Sequence, residues 1–119
     1  MTRVLLVEDH ALFRQVRSLL LEHQPNLKVA QAGSLAEARQ KLGGIDVAVL
    51  DVALPDGDGL EHISELRIVD PGASVLVLSA AVDSAYPERA LEAGADAVLQ
   101  KVHAPLRIID EIRRIGEIG

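Results

Sequence analysis

Ile45–Asp46–Val47–Ala48–Val49–Leu50–Asp51–Val52–Ala53–Leu54–Pro55–Asp56–Gly57–Asp58–Gly59 is the stretch on which the fold turns. Its first half is an almost unbroken apolar run rich in β-branched residues, the signature of a strand buried on both faces. Such strands occupy the middle of parallel sheets. This one ends in a carboxylate, Asp51, and turn residues follow at once: Pro55 fixes one dihedral, while Gly57 and Gly59 permit positive ones. Ligands of open parallel sheets bind at the carboxyl ends of the strands, so a carboxylate there is a candidate for chemistry.

Working outward, strand and helix alternate five times. Arg3 to Val7 reads as a short buried strand ending at Glu8–Asp9, and His10 to His23 as a helix with Leu12, Val16, Leu19 and Leu20 at helical spacing. Pro25–Asn26 break it. Leu27 to Ala32 alternate in polarity, which predicts a more exposed strand near a sheet edge. Ser34–Leu35–Ala36–Glu37 is a capping box for a helix carrying Leu35, Ala38 and Leu42. After Gly59 a helix runs through Leu60, Ile63 and Leu66 to Asp70–Pro71–Gly72. Ser74 to Leu78 is a second fully buried strand and delivers Ser79. Asp83 or Ser84 caps the next helix, with Ala90, Leu91 and Gly94 on its buried side. Ala97 to Gln100 delivers Lys101, and the last helix starts near Ala104–Pro105. Short loops and buried strands imply right-handed crossovers and a parallel sheet with helices on both faces. The chain is read as one domain, residues 1–119, without repeats or linkers.

Composition excludes several classes. The 119 residues suffice for one real core, and 49% hydrophobic with 25% charged residues describes a globular domain. A net charge of −6 argues against direct nucleic-acid binding by this segment. With no cysteine there is no disulfide or thiolate metal site. Glu8 and Asp9 come too early for a signal peptide, and no apolar run approaches the ~18 residues of a membrane span. The expectation is a cytoplasmic protein with no membrane contact.

Four strand ends carry polar residues toward one edge: Glu8 and Asp9, then Asp51, Ser79 and Lys101. Where strands one and three are neighbours, Glu8, Asp9 and Asp51 share a small space. Three carboxylates so placed repel one another unless a cation or protons intervene. An all-oxygen set without histidine or cysteine suits a hard cation, Mg²⁺ above all. With a lysine and a hydroxyl added, the group describes a site for a tetrahedral anion, a phosphoryl group carried by an aspartate.

These five positions resemble the receiver domain of two-component response regulators over the whole chain. Val7–Glu8–Asp9–His10–Ala11–Leu12–Phe13–Arg14 and Leu54–Pro55–Asp56–Gly57–Asp58–Gly59–Leu60–Glu61 are most similar to the branch of the nitrate/nitrite regulators. The resemblance implies a flavodoxin-like, doubly wound, five-stranded parallel sheet of order 2-1-3-4-5. It also implies that Asp51 accepts phosphate from a sensor histidine kinase. Asp9, Asp51 and the backbone carbonyl of Ala53 then ligate Mg²⁺, Glu8 acts largely through water, and Ser79 and Lys101 bind the phosphoryl oxygens. The domain is accordingly expected to be a signalling module, not a dedicated enzyme, controlling transcription through a DNA-binding domain absent from this chain. Two positions depart from the family pattern: Val98 stands where an aromatic is usual, and Val102, not proline, follows Lys101, so no cis bond is expected there. A homodimer is expected through the last helix, on a flank of Ile108, Ile112, Ile115 and Ile118.

Competing readings are weaker. A phosphatase with an aspartate nucleophile usually has a general acid two residues later, where Ala53 cannot transfer a proton. A flavin carrier would need a glycine- and hydroxyl-rich first loop, and one Tyr, one Phe and no Trp leave little to stack on a flavin. A pseudo-receiver that binds partners without phosphorylation does not need so complete a site. Asp56–Gly57–Asp58–Gly59 is not a calcium loop, because Glu61 and Arg67 stand where that loop needs glycine and glutamate. His10 alone is a helix-start residue.

Overall fold

A computed structural model describes residues 1–51, 53–79, 86–100 and 105–116; the side chains of Ala53, Tyr86, Pro105 and Leu106 lie outside that description. In chain order the elements are β1 (Thr2–Val7), α1 (Ala11–Glu22), β2 (Leu27–Ala32), α2 (Leu35–Gln40), β3 (Val47–Asp51), β4 (Ala53–Leu54), β5 (Gly57–Asp58), α3 (Gly59–Val69), β6 (Ser74–Ser79), α4 (Tyr86–Glu92), β7 (Ala97–Gln100) and α5 (Pro105–Ile115). Five strands form one parallel sheet of order β2-β1-β3-β6-β7, the 2-1-3-4-5 pattern when only its own strands are counted.

The unbroken apolar runs are explained by two cores. Leu5, Val7, Ala48, Leu50, Val75 and Val77 point to one face, where Leu35, Ala38, Ile63, Leu66 and Ala90 of α2, α3 and α4 cover them. Their neighbours Val4, Leu6, Val47, Val49, Leu76 and Leu78 point to the other, under Leu21 of α1 and Ile108, Ile109 and Ile112 of α5. Alternation is thus present in direction but invisible in polarity. Each such Val or Leu contributes roughly 1.5–3 kcal/mol on burial. Edge strand β2 keeps a mixed exposure, as its alternation predicts. Asn26, between α1 and β2, adopts φ 67°, a left-handed conformation in the turn that leads into β2.

Two helix readings, on α4 and α5, need correction, and the face of α1 is settled by the structure. Leu12, Val16 and Leu19 of α1 face outward, with Leu12 60% and Leu19 63% exposed; the inward face carries Ser18 and Leu21, with Arg14 and Arg17 partly covered. On α4 only Ala90 of the expected trio is buried; Leu91 is exposed and Gly94 follows the helix in a turn. Two members of the expected dimer flank on α5, Ile108 and Ile112, are buried in the second core instead of exposed, and Ile115 packs against it. A helix lying across three strands needs a wide apolar stripe, and Ile108, Ile109, Ile112 and Ile115 together supply it. Ile118, the proposed cap at Asp83 or Ser84, and the Lys101–Val102 peptide lie outside the described residues. No helix among those described is long and apolar enough to cross a membrane.

One buried group sets a pH response. His62 on α3 is fully buried, with Nδ1 3.6 Å from Glu65 Oε2 and neither ring nitrogen hydrogen-bonded among the described residues. Burial pulls its pKa below the ordinary 6.5 despite the attraction of Glu65. The unfolded chain therefore binds the proton more readily than the folded one, so this histidine makes stability fall as pH drops below about 6.5. Chemical denaturation from about pH 7.5 to 5.5 should show that decline in the parent. His62→Leu should flatten it.

Candidate functional site

The site is built at the carboxyl ends of β1, β3 and β6. Parallel pairing aligns Val7 with Leu50, so the next residues on each strand, Glu8 and Asp51, emerge side by side. The amide of Glu8 still donates to the Ala32 carbonyl at 2.9 Å, which holds the chain in strand direction one residue beyond β1. Asp9 then turns outward before α1. Carboxylate oxygens of Glu8, Asp9 and Asp51 all lie within 4.8 Å of one another. Glu8 and Asp51 are each only 1% exposed, while Asp9 is exposed. On the other side of β3, Asp51 aligns with Leu78, and buried Ser79 follows at the end of β6. Gln100 pairs with Ser79 at the end of β7; Lys101 lies outside the described residues.

Two buried carboxylates and a third in contact with solvent would destabilise this edge without positive charge nearby. The donors are all oxygen, the spacing is that of groups sharing one small ion, and Asp9 leaves a solvent side for retained water. The set fits a hard divalent cation such as Mg²⁺.

The loop after Asp51 is more ordered than a tight turn alone. Ala53–Leu54 and Gly57–Asp58 pair as a small antiparallel hairpin closed by Pro55 and Asp56. Gly57 has φ 152°, and a Cβ there would stand 2.7 Å from Leu35 Cδ1, so this position needs glycine for conformation and for space. Asp56 accepts from the amides of Leu35 at 2.8 Å and Ala36 at 3.0 Å, and these bonds hold its carboxyl below the ordinary range. It thereby ties the loop to the start of α2. Ser34 caps the same helix by accepting from the Glu37 amide at 3.2 Å; the return bond of the capping box goes to the Gly33 amide instead. Asp58 caps α3 through the Leu60 amide at 2.9 Å.

Sequence reading missed two cations. Arg14 Nη1 donates to the Glu8 carbonyl at 2.7 Å, and Arg17 Nη1 lies 3.2 Å from Glu8 Oε1. Both come from α1, three residues apart on the face opposite Leu12, Val16 and Leu19. That spacing beside Ser18 and Leu21 was the available signal. His10 is the N-terminal flanking residue of α1, makes no side-chain cap bond, and stacks on Phe13 with ring centroids 4.4 Å apart.

Comparison with known proteins agrees with this geometry. Residues 4–113 match the family described as the response regulator receiver domain. The chain is 35% identical over 122 residues to the transcriptional regulatory protein UhpA of Salmonella typhimurium, covering all of this chain and 61% of that protein. It therefore spans less than two thirds of that relative's length. A LuxR-family two-component response regulator from Aurantimonas sp. superposes with TM-score 0.88 at 30% identity, over 98% of this chain and 86% of that one. A response regulator from Burkholderia pseudomallei, solved with a phosphorylated aspartic acid, calcium ion and citrate, gives TM-score 0.86 at 25% identity, over 98% and 69%. The match over nearly the whole chain, the sheet order and the likeness to LuxR-type regulators lead to one conclusion: this chain belongs to the receiver domains of two-component response regulators, which are signalling modules.

Proposed function

We propose that Asp51 accepts a phosphoryl group and that the modified domain controls an output. The observation that carries this reading is the meeting of Glu8, Asp9 and Asp51 within 4.8 Å at a sheet edge where buried Ser79 ends the neighbouring strand. Receiver domains generally bind Mg²⁺ at such an acidic pocket. Here Asp9, Asp51 and the backbone carbonyl of Ala53 are assigned to hold it, with Glu8 acting through water. The ion supplies charge neutralisation for an incoming phosphoryl group. A carboxylate oxygen of Asp51 forms the bond to phosphorus as the bond from phosphorus to the donor's histidine nitrogen breaks, and the imidazole departs with that electron pair. The Ser79 hydroxyl is assigned to donate to a phosphoryl oxygen, and Lys101 to pair with another. The donor is a sensor histidine kinase.

The outward apolar stripe of α1, Leu12, Phe13, Val16 and Leu19, begins three residues after Asp9 and is assigned to the kinase domain bearing the phosphohistidine. Likeness to transcriptional regulators supports transcription, through a DNA-binding domain, as the output; the net charge of −6 supports no direct role for this segment on nucleic acid. Action in the cytoplasm belongs to the same reading.

Incubation with a small acyl phosphate and Mg²⁺, followed by intact mass measurement, tests it. One added phosphoryl group that fails to form in chelator is expected. Continuous release of free phosphate at enzyme rates would favour a phosphatase, and no labelling under any condition would favour a domain that only binds partners.

A further inference from the structure

Arg17 occupies an unusual place for a charged residue near the middle of a helix. Its side chain is only 13% exposed, and Nη1 lies 3.2 Å from Oε1 of Glu8, itself 1% exposed. Its surroundings are otherwise apolar: with Leu20, Leu21, Ile108 and Ile109 it lines a small cleft between α1 and α5. The Phe13 ring covers it from one side, 5.5 Å from Cζ, a distance suited to cation–π attraction. Desolvating an arginine is costly unless the charge is answered, and here Glu8 answers it. Arg14, one turn earlier, holds the backbone rather than the carboxylate of Glu8. The division of labour sets Arg17, rather than Arg14, against a carboxylate of the acidic cluster.

Arg17 thus sets a fixed positive charge against one of the three carboxylates that a divalent ion would share. We propose that Arg17 is a built-in countercation of the acidic site: it holds the Glu8 carboxylate in place, lets the metal-free domain stay folded, and weakens metal binding so that a divalent ion exchanges. It is a positioning residue, acting through Glu8, and the inference rests on the reading of this site as a Mg²⁺ site. A neutral residue of similar length at this position removes one positive charge from beside the carboxylates, so they repel one another more strongly without the ion and attract it more strongly when present.

Five proteins decide the matter: the parent, Arg17→Met, Arg17→Lys, Glu8→Gln and the double variant of Arg17→Met with Glu8→Gln. Thermal melts in chelator and Mg²⁺ titration by calorimetry are the readouts. Arg17→Met should melt about 5 °C or more below the parent in chelator, because a buried carboxylate loses a charged partner. Its Mg²⁺ affinity should rise roughly tenfold through the added unit of negative charge, an effect that loss of packing alone does not produce. Glu8→Gln should cancel most of the melting loss in the double variant, and Arg17→Lys should restore parental Mg²⁺ affinity. If Arg17→Met does not fold, recovery of folding by the double variant supports the pairing, and failure to recover overturns it. Additive melting effects of the two substitutions, or an unchanged Mg²⁺ affinity in Arg17→Met, also overturn it. A parent that binds no Mg²⁺ marks failure of the metal reading instead, and the melts in chelator still decide whether Arg17 and Glu8 are coupled.

Discussion

Asp9→Ala should slow acyl-phosphate labelling about 100-fold or more and remove most Mg²⁺ binding. Asp9 is the exposed member of the acidic group, so on the proposed reading it is the carboxylate through which a hydrated ion would enter and exchange. Glu8 and Asp51 lie deeper, and Glu8 faces Arg17. Removing Asp9 leaves Asp51 in place as the attacking group but strips the ion that would offset repulsion between two anions. The same substitution should raise stability in chelator, since one of three mutually repelling carboxylates is gone. Opposite signs for labelling and metal-free stability are hard to obtain from misfolding. Calorimetric Mg²⁺ titration together with labelling rates checks both. Labelling at the parental rate, indifferent to chelator, would remove the metal from the mechanism.

Ile112→Ala should destabilise the domain by about 2–5 kcal/mol, and Ile112→Glu should prevent folding. Ile112 is fully buried in the core that α5 forms against Val47, Val49, Leu76 and Leu78. Deleting its outer carbons leaves a cavity that close-packed β-branched neighbours fill poorly. At this chain length the alanine variant should melt about 10 °C or more below the parent. Leu19→Glu on the exposed face of α1 is the contrasting case and should change stability by about 0.5 kcal/mol or less. Denaturant unfolding of the two variants distinguishes a packing helix from a docking helix. A stable Ile112→Glu domain would return α5 to the surface role first expected of it.

That reversal shows where the sequence was legible. The apolar run in β3 and the run in β6 identify central strands because only a doubly covered sheet tolerates them, and the mixed pattern of β2 places it at an edge. Glu8, Asp9, Asp51 and Ser79 were legible for a related reason: parallel strands all end at one edge, so position at a strand end already implies proximity. Helix faces were harder. On α1 the apolar residues show helical spacing without showing a face, and the packed face carries Arg14 and Arg17 because the chain just before it supplies Glu8 as their partner. Periodicity reports that a stripe exists, not which side of the helix meets the sheet. On α5 apolar residues are so dense that members of the flank expected to be free also face the core, as the burial of both Ile108 and Ile109 shows. The hairpin at Ala53–Leu54 and Gly57–Asp58 has two-residue strands, too short to carry any pattern.

The central claim is that Asp51 carries the phosphoryl group, and peptide mapping by mass spectrometry after Mg²⁺-dependent labelling tests it most directly. The parent should carry one hydroxylamine-labile phosphoryl group, located on the peptide containing Asp51. Asp51→Asn, nearly the same in shape but unable to form the acyl phosphate, should carry none while remaining folded. Equal labelling of Asp51→Asn, or a hydroxylamine-stable group mapped to another residue in the parent, would contradict the account.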